Sequence, residues 1–335
     1  MAKVIRILIF YPIHLLLAGI IRLRHWLYDT GFFASSETTV PVICLGNLEL
    51  GGSGKTPMAD YLLRNFAQRR KVAFLSRGYG RKTHGFRWLK DCAGPDESGD
   101  EPWFLFKRWG QQAVFAVDEN RTRGIFHILE NNPETDFILL DDAFQHRKIR
   151  SRFSVLLTPF SRPFFHNFLF PAGNLRDIRA AARRADVLCF TRAEAANAEN
   201  YLQARIQADN AGFSTTPVFV SSLVHGGPMN NTVIPFPNEA EIICVAGLAD
   251  NSTFFAYCKQ HFQVKKQISL PDHYRYPEDF FKTHQISDDQ PVLCTEKDYE
   301  KLKRVAPKPG IVFYLPIEIR LFPEAEFLKI IEEQV

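Results

Sequence analysis

The chain predicts an α/β fold of the P-loop type: a mostly parallel sheet with flanking helices, followed by a second, smaller α/β domain and preceded by an apolar, amphipathic helix. Three observations predict it. After residue 40, short apolar runs alternate with helical patterns, as expected for parallel strands joined by crossover helices. One such run, Val42-Ile-Cys-Leu45, leads straight into a glycine-rich loop ending Gly54-Lys55-Thr56. Another, Asp136-Phe-Ile-Leu-Leu-Asp141-Asp142, ends in two carboxylates where a neighbouring strand would emerge.

Taken in order, Ile7 to Ile21 is apolar apart from His14, and Lys3, Arg6, Arg22 and Arg24 flank it. About fifteen residues is short of the roughly 20 that span a bilayer. No small-x-small cleavage site follows, so a signal peptide is not expected. Trp26, Tyr28, Phe32 and Phe33 add aromatic bulk suited to an interface. Residues 1–35 are therefore expected to lie in a membrane surface, with a helix packed on the protein's own core as the alternative. Pro12 argues against one straight helix there.

Strands are expected at Val40–Leu45, Val72–Ser76, Ala113–Val117, Phe137–Asp141, Phe153–Thr158, Val187–Thr191 and Val218–Leu223, and helices near 55–68, 121–131 and 195–208. Two irregular stretches, Arg81–Pro102 and Pro159–Asp177, are long enough to carry function. The run Gly226–Pro237 holds three prolines and two glycines and marks a boundary. It divides a domain over 36–225 from a smaller one over 226–335. The latter has strands at Glu241–Ala246, Val292–Thr295 and Val312–Leu315, helices at Ser252–His261 and Glu278–His284, and a last helix from Pro323.

Composition excludes little but usefully. A net charge of +4 without a Lys/Arg run gives no nucleic-acid footprint. The six cysteines lack a CxxC pair and read as reduced core thiols.

The strand–glycine loop–helix order is the context a Walker A loop requires. Backbone amides from Glu49 through Leu50, Gly51, Gly52, Ser53 and Gly54 would face the phosphates of a nucleotide. Lys55 would reach the β- and γ-phosphates, and the Thr56 hydroxyl would ligate Mg²⁺. Glu49 stands where the pattern wants glycine, so its carboxylate must turn away. Asp141 and Asp142 supply the acidic partner for Mg²⁺ or its waters. No Asn-Lys-x-Asp occurs, which favours ATP over GTP.

Gly46-Asn-Leu…Gly-Gly-Ser-Gly-Lys-Thr-Pro57, Ser76-Arg-Gly-Tyr-Gly80, Gly99-Asp-Glu-Pro102, Asp141-Asp-Ala-Phe-Gln-His146, Pro171-Ala-Gly-Asn-Leu-Arg176, Ala246-Gly-Leu-Ala249, Pro271-Asp-His273 and Thr295-Glu-Lys-Asp298 follow one another along the chain. In that order they resemble the tetraacyldisaccharide 4'-kinase family, over roughly residues 40 to 300. Ala143 and Glu49 depart from its usual residues without removing a reactive group.

The resemblance implies a kinase that phosphorylates the 4'-hydroxyl of a tetraacyl glucosamine disaccharide 1-phosphate in lipid A biosynthesis. It implies ATP and Mg²⁺ as cofactors and a place at the cytoplasmic face of the inner membrane. No nucleic acid and no obligate protein partner are expected. Asp100 resembles the family's catalytic base, and His273 would orient it from the second domain across a closing cleft. Glu101 would share the metal with Thr56, Asp141 and Asp142, and Arg121 would neutralise the transferring phosphoryl group. Asn47, Arg77, Tyr79 and Arg176 are substrate-contact candidates. Gln145 and His146 either bind phosphate or sugar or tie the acidic strand to its neighbour. The alternative is a membrane-associated P-loop ATPase that acts as a switch without an acceptor.

Overall fold

The computed structural model describes residues 2–230, 232, 234–237, 239–248, 250–272 and 274–335, with side chains from residue 10 onward. Two compact units emerge: Met1–Leu223 with Ile319–Val335, and Val224–Glu318. The sequence assigned everything after residue 226 to the second unit. The last seventeen residues instead return to the first, because Ile319, Leu321, Phe327 and Ile331 belong to its apolar core.

The first unit is built on a nine-stranded sheet. Its strands in chain order are β1 (Val42–Asn47), β2 (Val72–Ser76), β3 (Arg87–Trp88), β4 (Val114–Val117), β5 (Phe137–Asp141), β6 (Phe153–Pro159), β7 (Val187–Ala193) and β8 (Val218–His225). After β9 to β12 of the second unit, β13 (Ile317–Phe322) completes it. The spatial order is β13-β8-β7-β6-β1-β5-β2-β4-β3. From β8 to β4 every neighbouring pair is parallel, and β3 joins β4 antiparallel.

Alternating side chains feed two cores. Val42 and Cys44 of β1 point to one face, with Ala18, Ile125 and Ala204. Ile43 and Leu45 point to the other, with Met58, Tyr61, Leu105 and Phe327. Burial on both faces explains why these strands read as unbroken apolar runs.

Helices cover both faces: α1 (Ala2–Asp29), α2 (Lys55–Phe66), α3 (Pro95–Ser98), α4 (Asp100–Trp109), α5 (Arg121–Asn131) and α6 (Ala198–Asn210), with α7 to α9 in the second unit and α10 (Glu324–Glu332) last. Helix α1 runs unbroken through Pro12. The proline removes one hydrogen bond but does not end the helix, contrary to the sequence expectation. One face of α1 buries Ala18 and His25, while Tyr11, Ile13, Leu15, Leu16, Ile20, Leu23 and Trp26 stay exposed. Among the described residues, no helix is long and apolar enough to cross a membrane.

The second unit is a four-stranded parallel sheet, β10 (Val264–Ser269), β9 (Ile242–Ala246), β11 (Val292–Thr295) and β12 (Val312–Leu315) in spatial order. Its helices are α7 (Ser252–His261), α8 (Phe280–Thr283) and α9 (Glu296–Arg304). β10 escaped the sequence reading because, as an edge strand, it carries two adjacent lysines and only two apolar residues, Val264 and Ile268. All six cysteines are free and buried.

Candidate active site

Strand β1 ends at Asn47 and the chain turns through residues 48–54 into α2. Gly54 takes φ +84°, a left-handed turn that starts the helix without a side-chain cap. Among the described residues, the amides of Gly51 through Thr56 find no main-chain acceptor. A helix start leaves such donors orphaned and open to an anion. Lys55 Nζ lies 3.3 Å from Asn47 Oδ1 and 3.6 Å from Asp142 Oδ1.

One of the expected loop contributors is spent elsewhere. The Leu50 amide donates to Asn174 O at 2.8 Å, so it is not an anion donor. The Glu49 carboxylate turns away, as its charge requires, and accepts from Asn167 Nδ2 at 2.7 Å. Both contacts come from the irregular stretch Pro159–Asp177. That stretch pins the start of the loop through a Glu49–Leu175 bridge and Arg176 N donating to Leu48 O at 2.7 Å. Asn167 was missed by the sequence reading, having no motif to mark it.

Asp141 closes β5 and is buried. Its Oδ2 accepts from Ser76 Oγ at 3.1 Å, and its Oδ1 has no partner. Burial, then repulsion from Glu101 and Asp142, pushes this carboxyl up to about 7. The next residue, Asp142, sits at φ +47°, an unusual backbone for a residue with a Cβ. That turn delivers its carboxylate to Arg176 in a two-pronged pair, Oδ2 to Nη1 at 3.0 Å and Oδ1 to Nη2 at 2.6 Å. Burial opposes its ionisation, but Arg176 and Lys55 outweigh burial and hold the carboxyl below its usual range. Arg176 also donates to Asn47 Oδ1.

Gln145 Nε2 donates to Asn47 O at 2.7 Å, tying the turn after β5 back to β1. His146 keeps Nε2 buried without a partner, and burial followed by the Arg121 charge lowers its pKa to about 4. It is neutral at pH 7. Arg121 begins α5 almost wholly buried, donating from Nη1 to Asp118 O at 2.9 Å and from Nη2 to Asp141 O at 3.5 Å. Burial lowers its pKa, and the charges of Asp141 and Asp142 work the other way. Arg123 is committed to Asp118 by two hydrogen bonds of 2.8 and 2.7 Å.

Asp100 and Glu101 open α4, a helix the sequence does not predict and of which only the first three residues fall in the irregular stretch Arg81–Pro102. Gly99, at φ +93°, places Asp100 against the loop after β2: a Cβ on Gly99 would lie 3.0 Å from Tyr79 O. Arg77 and Tyr79 are exposed beside it. His273 lies outside the described residues.

Among the described residues, no three Asp, Glu, His or Cys side chains form a ready metal cage. Mg²⁺ needs none, since it takes one or two carboxylates and completes its shell with phosphates and water. The partnerless Asp141 Oδ1, with Glu101 charge beside it and Thr56 on the first turn of α2, fits that demand.

The row of loop amides, the lysine beside it and the acidic strand end define a P-loop nucleotide-binding protein. Comparison with known proteins narrows the class. The family model for tetraacyldisaccharide-1-P 4'-kinase matches residues 6–335. The tetraacyldisaccharide 4'-kinase of Cytophaga hutchinsonii is 33% identical over 330 residues, covering 95% of this chain and 92% of that protein. That of Flavobacterium johnsoniae is 33% identical over 316 residues, covering 92% and 91%. A crystal structure of the Aquifex aeolicus member in complex with ATP superposes with a TM-score of 0.79 at 30% identity, covering 100% of this chain and 99% of that one. The chain belongs to the tetraacyldisaccharide 4'-kinase family.

Proposed function

We propose that this chain transfers the γ-phosphate of ATP to the 4'-hydroxyl of an acylated glucosamine disaccharide 1-phosphate. The observation that carries the reading is the run of amides from Gly51 to Thr56 with no main-chain acceptor, together with Lys55 Nζ set 3.6 Å from Asp142 Oδ1. The ATP complex of the Aquifex aeolicus relative and the names of the curated relatives support it.

In this mechanism the amides and Lys55 cradle the β- and γ-phosphates, and Arg121 adds positive charge behind Asp141. Asp100 accepts the proton of the sugar hydroxyl as its oxygen bonds to the γ-phosphorus and the bond to the ADP oxygen breaks. A positioned carboxylate base contributes about 10² to 10⁴ in rate. The family resemblance gives His273 the part of orienting that base. Mg²⁺, held by Asp141, Glu101 and Thr56, would neutralise charge on the phosphates. Arg176, locked by Asp142 and Asn47, serves as scaffold for the loop, and its positive charge is suited to an anionic group of the acceptor.

The acceptor is a lipid, and the exposed apolar face of α1 is suited to the surface that holds it. We place the protein peripherally at the cytoplasmic face of the inner membrane. Incubation with γ-labelled ATP and disaccharide-1-phosphate lipid tests the proposal: label should move to the lipid. Label released only as inorganic phosphate, with and without lipid, would instead mark a nucleotide-driven switch.

A further inference from the structure

Strand order fixes the direction in which a nucleotide must lie. Lys55, Asp141, Asp142 and the charge of Glu101 converge on the β5 side of β1, where the reacting phosphate belongs. β6 flanks β1 on the opposite side and β7 lies beyond it. A nucleotide held by the loop between β1 and α2 must therefore run its nucleoside toward the ends of β6 and β7.

The end of β7 is built for contact with that loop. Thr191 Oγ1 donates to Ser53 O at 2.9 Å, and Thr191 Cβ stands 3.3 Å from where a Cβ on Gly54 would be. The next residue, Arg192, takes φ +60°. A β-bulge accompanies it, since the pairing of β7 with β8 slips between Phe190 and Ala193. Left-handed backbone in a residue with a long side chain is costly and concentrates at functional sites. Among the described residues only three non-glycine residues take it, and another is Asp142 at the opposite end of the site. The consequence is positional: Arg192 Nη2 comes to 2.9 Å from where a Cβ on Gly52 would be, so any larger residue at 52 would displace the guanidinium. The side chain is otherwise exposed.

We propose that Arg192 is a nucleotide-contacting residue that lays its guanidinium plane on the purine base of ATP. A guanidinium is flat, permanently charged and weakly hydrated, and it stacks on aromatic faces. On the nucleoside side of the loop it meets a base rather than the γ-phosphate. Without the Asn-Lys-x-Asp pattern, the sequence Thr191-Arg192-Ala193-Glu194 leaves a stacking arginine where that pattern's lysine would be sought.

The inference rests on the reading of Gly51–Thr56 as a triphosphate loop, and the test separates the two. The full chain is titrated with ATP and, as a base-free probe, with inorganic tripolyphosphate. Arg192→Gly is the main variant, because glycine adopts φ +60° without strain and the backbone is kept. The dissociation constant for ATP should rise on the order of tenfold, between the sizes of an exposed and a desolvated cation–π contact, while that for tripolyphosphate stays within about twofold. Arg192→Lys should recover only part of the loss, since lysine keeps the charge but not the plane. Unchanged ATP affinity in Arg192→Gly overturns the proposal. So does equal weakening of both probes, which would make Arg192 a phosphate contact. Lys55→Ala should weaken both probes, and if it weakens neither, the triphosphate-loop reading itself fails.

Discussion

Replacing Asp141 by Asn is expected to stabilise the nucleotide-free protein at alkaline pH while abolishing its kinase activity. The carboxyl is buried at the end of β5 and its pKa is pushed from 3.8 to about 7, by desolvation first and by Glu101 and Asp142 after it. A group whose pKa is raised on folding keeps the stability it contributes below its unfolded pKa and loses it as pH climbs through the folded value. The penalty is therefore absent below about pH 4, grows between 4 and 7, and is complete above 7. Some three units correspond to roughly 4 kcal/mol. An asparagine carries no charge and still offers an oxygen to Ser76, but it sets an amide where Oδ1 has no partner, at a cost of about 1–3 kcal/mol. The net gain at pH 8 is then about 1–3 kcal/mol, or some 2–6 °C in melting temperature at about 2 °C per kcal/mol. Thermal unfolding in EDTA at pH 8 and pH 4.5, compared with wild type, measures it. The gap should shrink or reverse at the lower pH. A variant less stable than wild type at pH 8, or a gap indifferent to pH, refutes the reasoning. The expected gain would mean that the native sequence trades stability for an anion held ready for a cation.

Three further outcomes follow from other contacts. Asp100→Ala should leave a folded protein that binds ATP normally but transfers phosphate about 10² to 10⁴ times more slowly, and wild-type turnover would remove its role as base. In the second unit, Asp298 is buried and accepts from Gly247 N at 2.8 Å and Thr295 Oγ1 at 2.6 Å, so Asp298→Leu should cost about 2–4 kcal/mol by stranding both donors. Hydrogen exchange should speed up at Gly247, and unchanged protection there would contradict the assignment. His25 Nε2 meets Asp177 Oδ1 at 2.7 Å in the buried seam between α1 and the rest of the first unit. His25→Ala should expose the helix to limited proteolysis and lower stability by about 1–3 kcal/mol; a digestion pattern identical to wild type would show that the apolar seam alone holds α1.

The parts of the site legible in the sequence are those built from consecutive residues. A strand, a glycine loop and a helix follow one another between Val42 and Phe66, so the phosphate loop announces itself. The carboxylates at the end of β5 do the same, because an apolar run that stops on two aspartates has one plausible geometry. Even the turning away of Glu49 could be deduced from charge alone, although its partner Asn167, over a hundred residues off, could not. What the sequence withheld is what depends on neighbours distant in the chain. Strand order is such a property: β5 and β6 lie on opposite sides of β1, and only that arrangement gives the site a γ-phosphate end and a nucleoside end. The same holds for the return of the last strand and helix to the first unit, for the Arg176–Asp142 pair that frames the loop, and for Arg192, an ordinary arginine until backbone strain and a β-bulge set it beside Gly52. Local chemistry is written in local order. Which residues meet is decided by burying both faces of one sheet at once, a condition on the whole chain that no short stretch of it expresses.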